Sequence, residues 1–393
     1  MYSLLLALIY LAFIGLGLPD SLLGAAWPSM YAGLGVPVSY AGVVSMIIAG
    51  CTIIASLNAN RVIIRFGTGA VTAASVFLNA VGVFGFSFSD GFWMLCLWAV
   101  PYGLGAGAVD AALNNFVALH YASRHMSWLH CFWGVGATVG PYVIGLALAV
   151  KNSWAFGYMT VGLFQTALTV LLLASLPLWR RKEGPRRGGG EGSARLLTVR
   201  DALKIRGVRQ VLVAFFAYCA LEATAGLWAS SYLALFRGVG VETAARWASL
   251  FYLGITAGRF LNGFVADRFG NRTMIRVGMA VIAIGLLAIL LPERTGAAAL
   301  AGLVLTGVGC APIYPCIIHQ TPRNFGEEHS QAIIGIQMAC AYVGSTFMPP
   351  LFGMLADAVS LGLYPLFLIL CLLLMAAMTE RLNRIVARPR PTV

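Results

Sequence analysis

Charge is what this sequence has least of. Only 10% of its 393 residues are Asp, Glu, Lys or Arg, against roughly 25% in soluble domains. Taken with a hydrophobic share of 60% and a mean hydropathy of +0.84, that shortage excludes an ordinary soluble fold. Other absences narrow the chemistry. The eight cysteines (Cys51, Cys96, Cys131, Cys219, Cys310, Cys316, Cys340, Cys371) show no CxxC spacing and fall in apolar runs. They read as small packing residues, with neither a disulfide framework nor a metal site. The chain has no Walker sequence, no metal-ligand cluster and no nucleophile–base constellation, so nothing supports an enzyme and no cofactor is expected. The glycines Gly103, Gly105 and Gly107 lie inside an apolar run with no strand before them, and serve helix packing rather than phosphate binding.

What is present is a repeated apolar run of the length that spans a bilayer as a helix. Twelve occur, at approximately 4–27, 39–59, 69–88, 92–119, 129–150, 155–178, 209–235, 246–266, 273–292, 297–319, 331–356 and 361–380. The first has no basic leader and no small-residue cleavage site, so it is expected to be a retained span. The expected fold class is an all-α membrane protein of twelve transmembrane helices.

The net charge of +12 is explained by where the basic residues fall. With both termini cytoplasmic, 21 of the Lys and Arg side chains lie on inside segments and 4 on outside loops, leaving Arg259 within a span. That asymmetry is the positive-inside signal of a plasma (inner) membrane protein. It points to membrane lipid as a partner, and no nucleic acid is needed to account for it.

The Gly-, Pro- and charge-rich stretch Arg180–Ser193 opens the one long polar segment, in which Thr198–Arg206 is expected to form a short surface helix. The predicted organisation is a six-helix bundle over 1–178, a cytoplasmic linker over 179–208, and a second six-helix bundle with a short basic tail over 209–393. The halves echo each other. Arg65-Phe66-Gly67 recurs as Arg268-Phe269-Gly270, and Gly136-x-Thr138-x-x-Pro141-x-x-x-Gly145 recurs as Gly344-x-Thr346-x-x-Pro349-x-x-x-Gly353, at offsets of 203 and 208. Two echoes at nearly one offset indicate an internal duplication, a design in which the halves rock about a substrate held near the midplane.

Acidic residues inside apolar runs are the candidate working groups. Asp110 is the only charged residue between Gly91 and Leu119. A carboxylate at that depth costs roughly 2.5–3.5 kcal/mol even on lenient scales, and is tolerated where it lines a wet cavity, finds a partner or carries a proton. Asp20 and Glu222 repeat the pattern. Asn114 shares a helix face with Asp110, an arrangement that suits a proton carrier, a hydroxyl-binding wall or a polar packing pair. Glu222 is either a substrate group or the partner of Arg259. Trp228, Trp133 and Tyr218 are candidate platforms for the apolar face of a sugar or members of an interfacial belt. His130, Gln337 and, at a helix end, His319 are the remaining polar candidates.

Gly263-Phe-Val-Ala-Asp267-Arg268-Phe-Gly270-Asn-Arg272 matches without a gap the G-x-x-x-D-R-x-G-x-R loop of the major facilitator superfamily. The resemblance implies a major facilitator fold of two pseudo-symmetric six-helix bundles, with this loop stabilising one gating state through Asp267. The corresponding loop after the second span, Asn60-Arg61 to Arg65-Phe66-Gly67, lacks the acid. A narrower resemblance is to the fucose permease branch of fucose–galactose–glucose:proton symporters. It rests on Gly105-x-Gly107-x-x-Asp110-x-x-x-Asn114, on Gly17-Leu-Pro-Asp20, on Tyr218-x-x-x-Glu222 with Trp228, and on Leu129-His130 with Gly134 and Gly136. In that branch the acid at the position of Asp110 is tied to proton coupling, and the acid at the position of Asp20 to sugar recognition. Here Asp110 stands where the branch has Glu, Asn115 where it has Pro, and His130 and Trp133 where it has amides. A hexose other than fucose, or a polyol, is therefore open.

The expectation is a secondary active transporter, monomeric as is usual for the family it resembles, that takes up a sugar or polyol by alternating access. Asp20 and Asp110 would couple the proton. Asn114, Glu222, Trp228, Trp133, His130, Gln337 and Tyr218 would contact substrate, and Gly263, Asp267, Arg268, Gly270 and Arg272 would form the gating loop. Sodium in place of protons, a drug or metabolite exporter of the same superfamily, and a ligand sensor without flux are the competing readings.

Overall fold

The computed structural model describes residues 2–31, 33–37, 40–183, 197–239, 241–291 and 296–387. Every regular element among them is helical. They are α1 (Tyr2–Asp20), α2 (Leu22–Met30), α3 (Ala41–Phe66), α4 (Thr68–Ser87), α5 (Phe92–His120), α6 (Ser123–Lys151), α7 (Trp154–Ala174), α8 (Leu176–Glu183), α9 (Val199–Ala202), α10 (Val208–Ser231), α11 (Val241–Phe269), α12 (Asn271–Leu290), α13 (Ala297–Cys310), α14 (Ile313–Phe325), α15 (Glu327–Ala358) and α16 (Tyr364–Ala387). Two spans are built from paired α-helices, α1 with α2 and α13 with α14, while a π-helical turn (Tyr232–Phe236) extends α10 and a 3-10 turn (Leu361–Leu363) precedes α16. Eleven spans among the described residues are long and apolar enough to cross a membrane. The remaining one, α11, has 29 residues and is less apolar because Arg259 and Asn262 lie inside it. Together they make the twelve spans expected from the hydropathy pattern. Of the polar connector, 184–196 lies outside the described residues, as does the tail 388–393.

The chain forms two compact units. The first comprises Met1–Phe116 and Leu129–Leu197, and the second Val117–Trp128 and Thr198–Val393. In the first, Leu22, Trp27, Phe86, Phe92 and Tyr158 belong to one buried cluster. In the second, α10 packs on α15 and α16, and α13 on α11 and α12.

The first span breaks where it matters for the site. Pro19 lies at the end of α1, and a proline has no N–H to give the carbonyl one turn back, here that of Gly15. The Gln165 side-chain amide of α7 donates to that carbonyl instead. The helix resumes at Leu22, so Asp20 stands at the interruption. Close crossing of α1 and α6 depends on two glycines. A Cβ at Gly17 would sit 2.1 Å from the Trp133 carbonyl oxygen, and one at Gly136 would sit 2.2 Å from that of Ile14. Without side chains the backbones meet, which brings Trp133 alongside Asp20.

The internal echo is visible in backbone geometry. Gly67 joins α3 to α4 with φ 83 and ψ 158, and Gly270 joins α11 to α12 with φ 77 and ψ 154. That region belongs essentially to glycine, so the two Arg-Phe-Gly turns have the same shape for the same reason. Gly344, the counterpart of Gly136, likewise faces a backbone carbonyl of the span it crosses, that of Phe216 at 2.8 Å from a built Cβ.

Candidate functional site

The first unit holds two acid-centred clusters. Asp20 receives a hydrogen bond on each oxygen: the Tyr102 hydroxyl donates to Oδ1 at 2.6 Å and the Trp133 indole N–H to Oδ2 at 2.9 Å. Both donors are neutral. Asp20 nonetheless remains exposed, and a carboxylate in a membrane span turns its open side to water rather than to lipid tails. Tyr102 was not legible as a site residue. The available signal was its place two turns before Asp110 on α5, which puts both on one helix face.

Asp110 is 5% exposed and Asn114 is fully buried. The Asn114 amide nitrogen donates to Asp110 Oδ1 at 2.7 Å and to the Asp110 carbonyl at 2.9 Å. That assigns the Asn114 Oδ1 as an acceptor, and His130 Nε2 lies 3.0 Å from it. An amide oxygen only accepts, so His130 carries its proton on Nε2. The His130 ring also meets the edge of Phe13, with centroids 5.5 Å apart. The outcome is a linear arrangement Asp110–Asn114–His130 running from α5 to α6, with α1 against the imidazole.

The second unit groups Tyr218 with Glu222 and Arg259 and sets Gln337 and Trp228 in other contacts. Arg259 Nη2 donates to Glu222 Oε1 at 3.1 Å, with side-chain exposures of 6% and 22%. Tyr218 is fully buried, donates to the Cys310 carbonyl at 3.0 Å, and packs on Phe215 and Tyr314. Gln337 is also fully buried, and its Oε1 accepts from Thr321 at 2.9 Å. Trp228 donates to the Pro349 carbonyl at 2.9 Å and packs edge-on to Phe352. Gln337 therefore sits in helix packing, Trp228 at a helix crossing, and Glu222 at a partly open face, with the buried Tyr218 hydroxyl close to both Glu222 and Arg259.

Asp267 of the loop signature is bound twice by Arg124, through the guanidinium Nε and through the backbone N–H at 3.2 Å. Gly263 leaves room for the Trp128 indole, Arg268 lies over the Phe269 ring at 5.6 Å, Gly270 makes the turn, and Arg272 is exposed. Buried and part-buried polar contacts reinforce the ion pair. Asn262 donates to Ser127 at 2.6 Å, Asn271 approaches His319 Nδ1 at 2.9 Å, and His319 Nε2 donates to the Tyr121 carbonyl at 2.9 Å. An exposed ion pair contributes only about 0.2–1 kcal/mol, so these further contacts carry much of the fixing of 121–128 within the second unit.

An apolar groove of about 510 Å³ lies on the first unit, lined by Ile54, Val62, Phe66, Leu78 and Leu104 among others. It contains none of the acidic residues.

The Major Facilitator Superfamily model matches residues 9–247 and 211–392, in two overlapping stretches that together take in nearly all of the chain. The chain belongs to the Major Facilitator Superfamily. Among its relatives is the glucose/galactose transporter of Brucella abortus biovar 1 (strain 9-941), 26% identical over 286 residues, which are 68% of this chain and 66% of that protein. Another is the hexuronate transporter of Bacillus subtilis (strain 168), 24% identical over 217 residues, 52% of this chain and 50% of that protein. The matches span from about a third to about two thirds of the length of the first relatives found. Among solved structures, the E. coli fucose:proton symporter FucP superimposes with a TM-score of 0.79 at 17% identity, covering 99% of this chain and 98% of that one. At that identity the match establishes the fold alone. The major facilitator fold expected from the loop signature is thus the fold observed, in an integral membrane protein, and membership in a transporter family agrees with the lack of an enzyme constellation in the sequence.

Proposed function

We propose that this protein is a secondary active transporter that takes up a sugar or related polyol together with a proton, by alternating access of its two six-span halves, 1–178 and 209–393. The observation that carries the reading is Asp20 between Tyr102 and Trp133. An acid, a hydroxyl and an aromatic plane converge there, which is the kit that recognises radiating hydroxyls and an apolar C–H face. Asp20 and Asp110 take the proton. Both have neutral donors against them, so a proton can be taken up or released at either without breaking an ion pair of its own. Asn114, His130, Glu222 and Trp228 supply polar and aromatic contacts, with Tyr218 and Gln337 supporting the walls from behind. The 263–272 loop holds one gating state. The names of the relatives, glucose/galactose and hexuronate transporters, favour a sugar-class substrate over an apolar drug. The protein acts as a monomer in the inner membrane with both termini cytoplasmic, an orientation that the distribution of its basic residues supports.

The test is proton movement in proteoliposomes on addition of a panel of monosaccharides, with Asp110→Asn as control. Sugar-dependent alkalinisation outside, absent in the variant, is expected. Uptake that follows a sodium gradient and leaves pH unchanged replaces the proton with sodium. No response to any sugar by folded protein overturns the reading.

A further inference from the structure

Arg259 is the only charged residue of α11 between Trp247 and Val265, and it is almost wholly buried. Its guanidinium has five N–H donors in a planar fork. Nη2 goes to Glu222 and the guanidinium also lies close to the Tyr218 hydroxyl, whereas the buried Nε has no hydrogen-bond partner among the described residues. A purely structural buried pair offsets its desolvation only when its remaining donors and acceptors are also satisfied; otherwise an apolar replacement is as stable or more so. Glu222 adds a second departure from a closed pair. Its carboxylate is 22% exposed at membrane depth, so one side of the pair opens to water. One turn further along α11, on the same face as Arg259, Asn262 is 3% exposed and its Oδ1 is a buried acceptor without a partner. An under-satisfied guanidinium and an unused acceptor thus lie at neighbouring positions beside an accessible carboxylate.

We infer that Glu222 and Arg259 form a carboxylate-exchange site, and that the transported sugar is an acidic one whose carboxylate takes the place of Glu222 on Arg259. The inference rests on the sugar-transport reading above and names the substrate class for it. A proton delivered to the Glu222 carboxylate converts it to the neutral acid. Arg259 is then an uncompensated buried cation, a costly state, and a substrate carboxylate restores neutrality through paired N–H···O bonds. Asn262 Oδ1 accepts from a sugar hydroxyl. One proton and one carboxylate enter together, so the site has zero net charge both empty and loaded. A neutral hexose gives Arg259 nothing in exchange for Glu222.

The test compares D-glucuronate, D-glucuronamide and D-glucose, which share a ring and differ at C6, by calorimetric titration of the full chain in nanodiscs. Titration in two buffers of different ionisation enthalpy counts the protons taken up. Glucuronate is expected to bind at least tenfold more tightly than glucuronamide, with uptake of one proton. Arg259→Gln strands Glu222 and risks misfolding, so Glu222→Gln/Arg259→Gln, which removes both charges at once, is the decisive variant. It is expected to lose the preference for the acid while keeping its thermal unfolding transition. Glu222→Gln alone is expected to bind glucuronate with one proton fewer taken up than the parent protein. Equal binding of the three probes, or a preference for the acid that survives in the double variant, overturns the inference. Binding of neutral hexoses without acids also overturns it and leaves the transport reading standing. Binding of none of the probes, or of other mono- or acidic saccharides in the same assay, sinks both. Tight glucuronate binding without flux in proteoliposomes supports the site and overturns only transport.

Discussion

At the scale of single residues, the acids differ in what surrounds them, and the difference gives each its own test. Asp20 depends on two neutral donors from α5 and α6. A hydrogen bond to a charged group contributes about 1.5–3 kcal/mol. Tyr102→Phe is therefore expected to slow proton-driven uptake by roughly tenfold or more while the protein remains folded, measured as initial rates in proteoliposomes. For the Asp110–Asn114–His130 arrangement the prediction concerns the donor from the histidine. His130→Gln keeps an N–H for the Asn114 oxygen and is expected to retain much more transport than His130→Phe, which keeps only the packing against Phe13. Equal loss in the two variants would show that the ring, rather than the hydrogen bond, is what matters. Glu222 was readable as a partner of Arg259 because both charges stood alone in their apolar runs. Tyr102 and Gln165 were not readable, since a Tyr and a Gln in a span are common and their partners lie 82 and 150 residues away.

At the scale of elements, glycines decide how closely helices pass and how they turn. A side chain at Gly136 would drive α6 into the Ile14 carbonyl, whereas a Cβ at Gly145, one motif position on, meets nothing within 4 Å. Gly136→Val is expected to lower the thermal unfolding temperature and to abolish uptake by separating Trp133 from Asp20. Gly145→Ala is expected to be near neutral in both assays. The two Arg-Phe-Gly turns make a matched pair. Gly67→Ala and Gly270→Ala each force a side chain into a backbone region costing of order 1–3 kcal/mol, so both are expected to destabilise by similar amounts in denaturation followed by intrinsic fluorescence. The repeat was legible in the sequence as two short echoes. The reason for it, a shared turn geometry and a shared need for close crossing, came with the backbone.

At the scale of the whole molecule, the segment 121–128 is held to α11, α12 and α14 by one exposed ion pair and several buried polar contacts. A double-mutant cycle on Arg124 and Asp267 is expected to give a coupling below about 1 kcal/mol. Removing the imidazole with His319→Phe takes a part-buried hydrogen bond from the Asn271 amide and another from the Tyr121 carbonyl and is expected to cost more, because each such bond contributes about 0.5–1.5 kcal/mol. Thermal unfolding in detergent checks both. A large coupling for the exposed pair would place the restraint at Asp267 itself.

Hydropathy acts locally along the chain, so the twelve spans, the basic bias of one side, the internal duplication and the loop signature were all determined by the sequence alone. The spans, the charge bias and the loop signature depend on residues within a few tens of positions, and the duplication on comparing two short local patterns along the chain. Which polar side chains meet depends on how helices rotate and cross, and neighbouring residues on a helix point about 100° apart, so a small change of packing exchanges one partner for another. Only the tertiary structure therefore decided that Trp133 serves Asp20, that Gln337 is packed away, and that Arg259, once paired with Glu222, keeps a donor to spare.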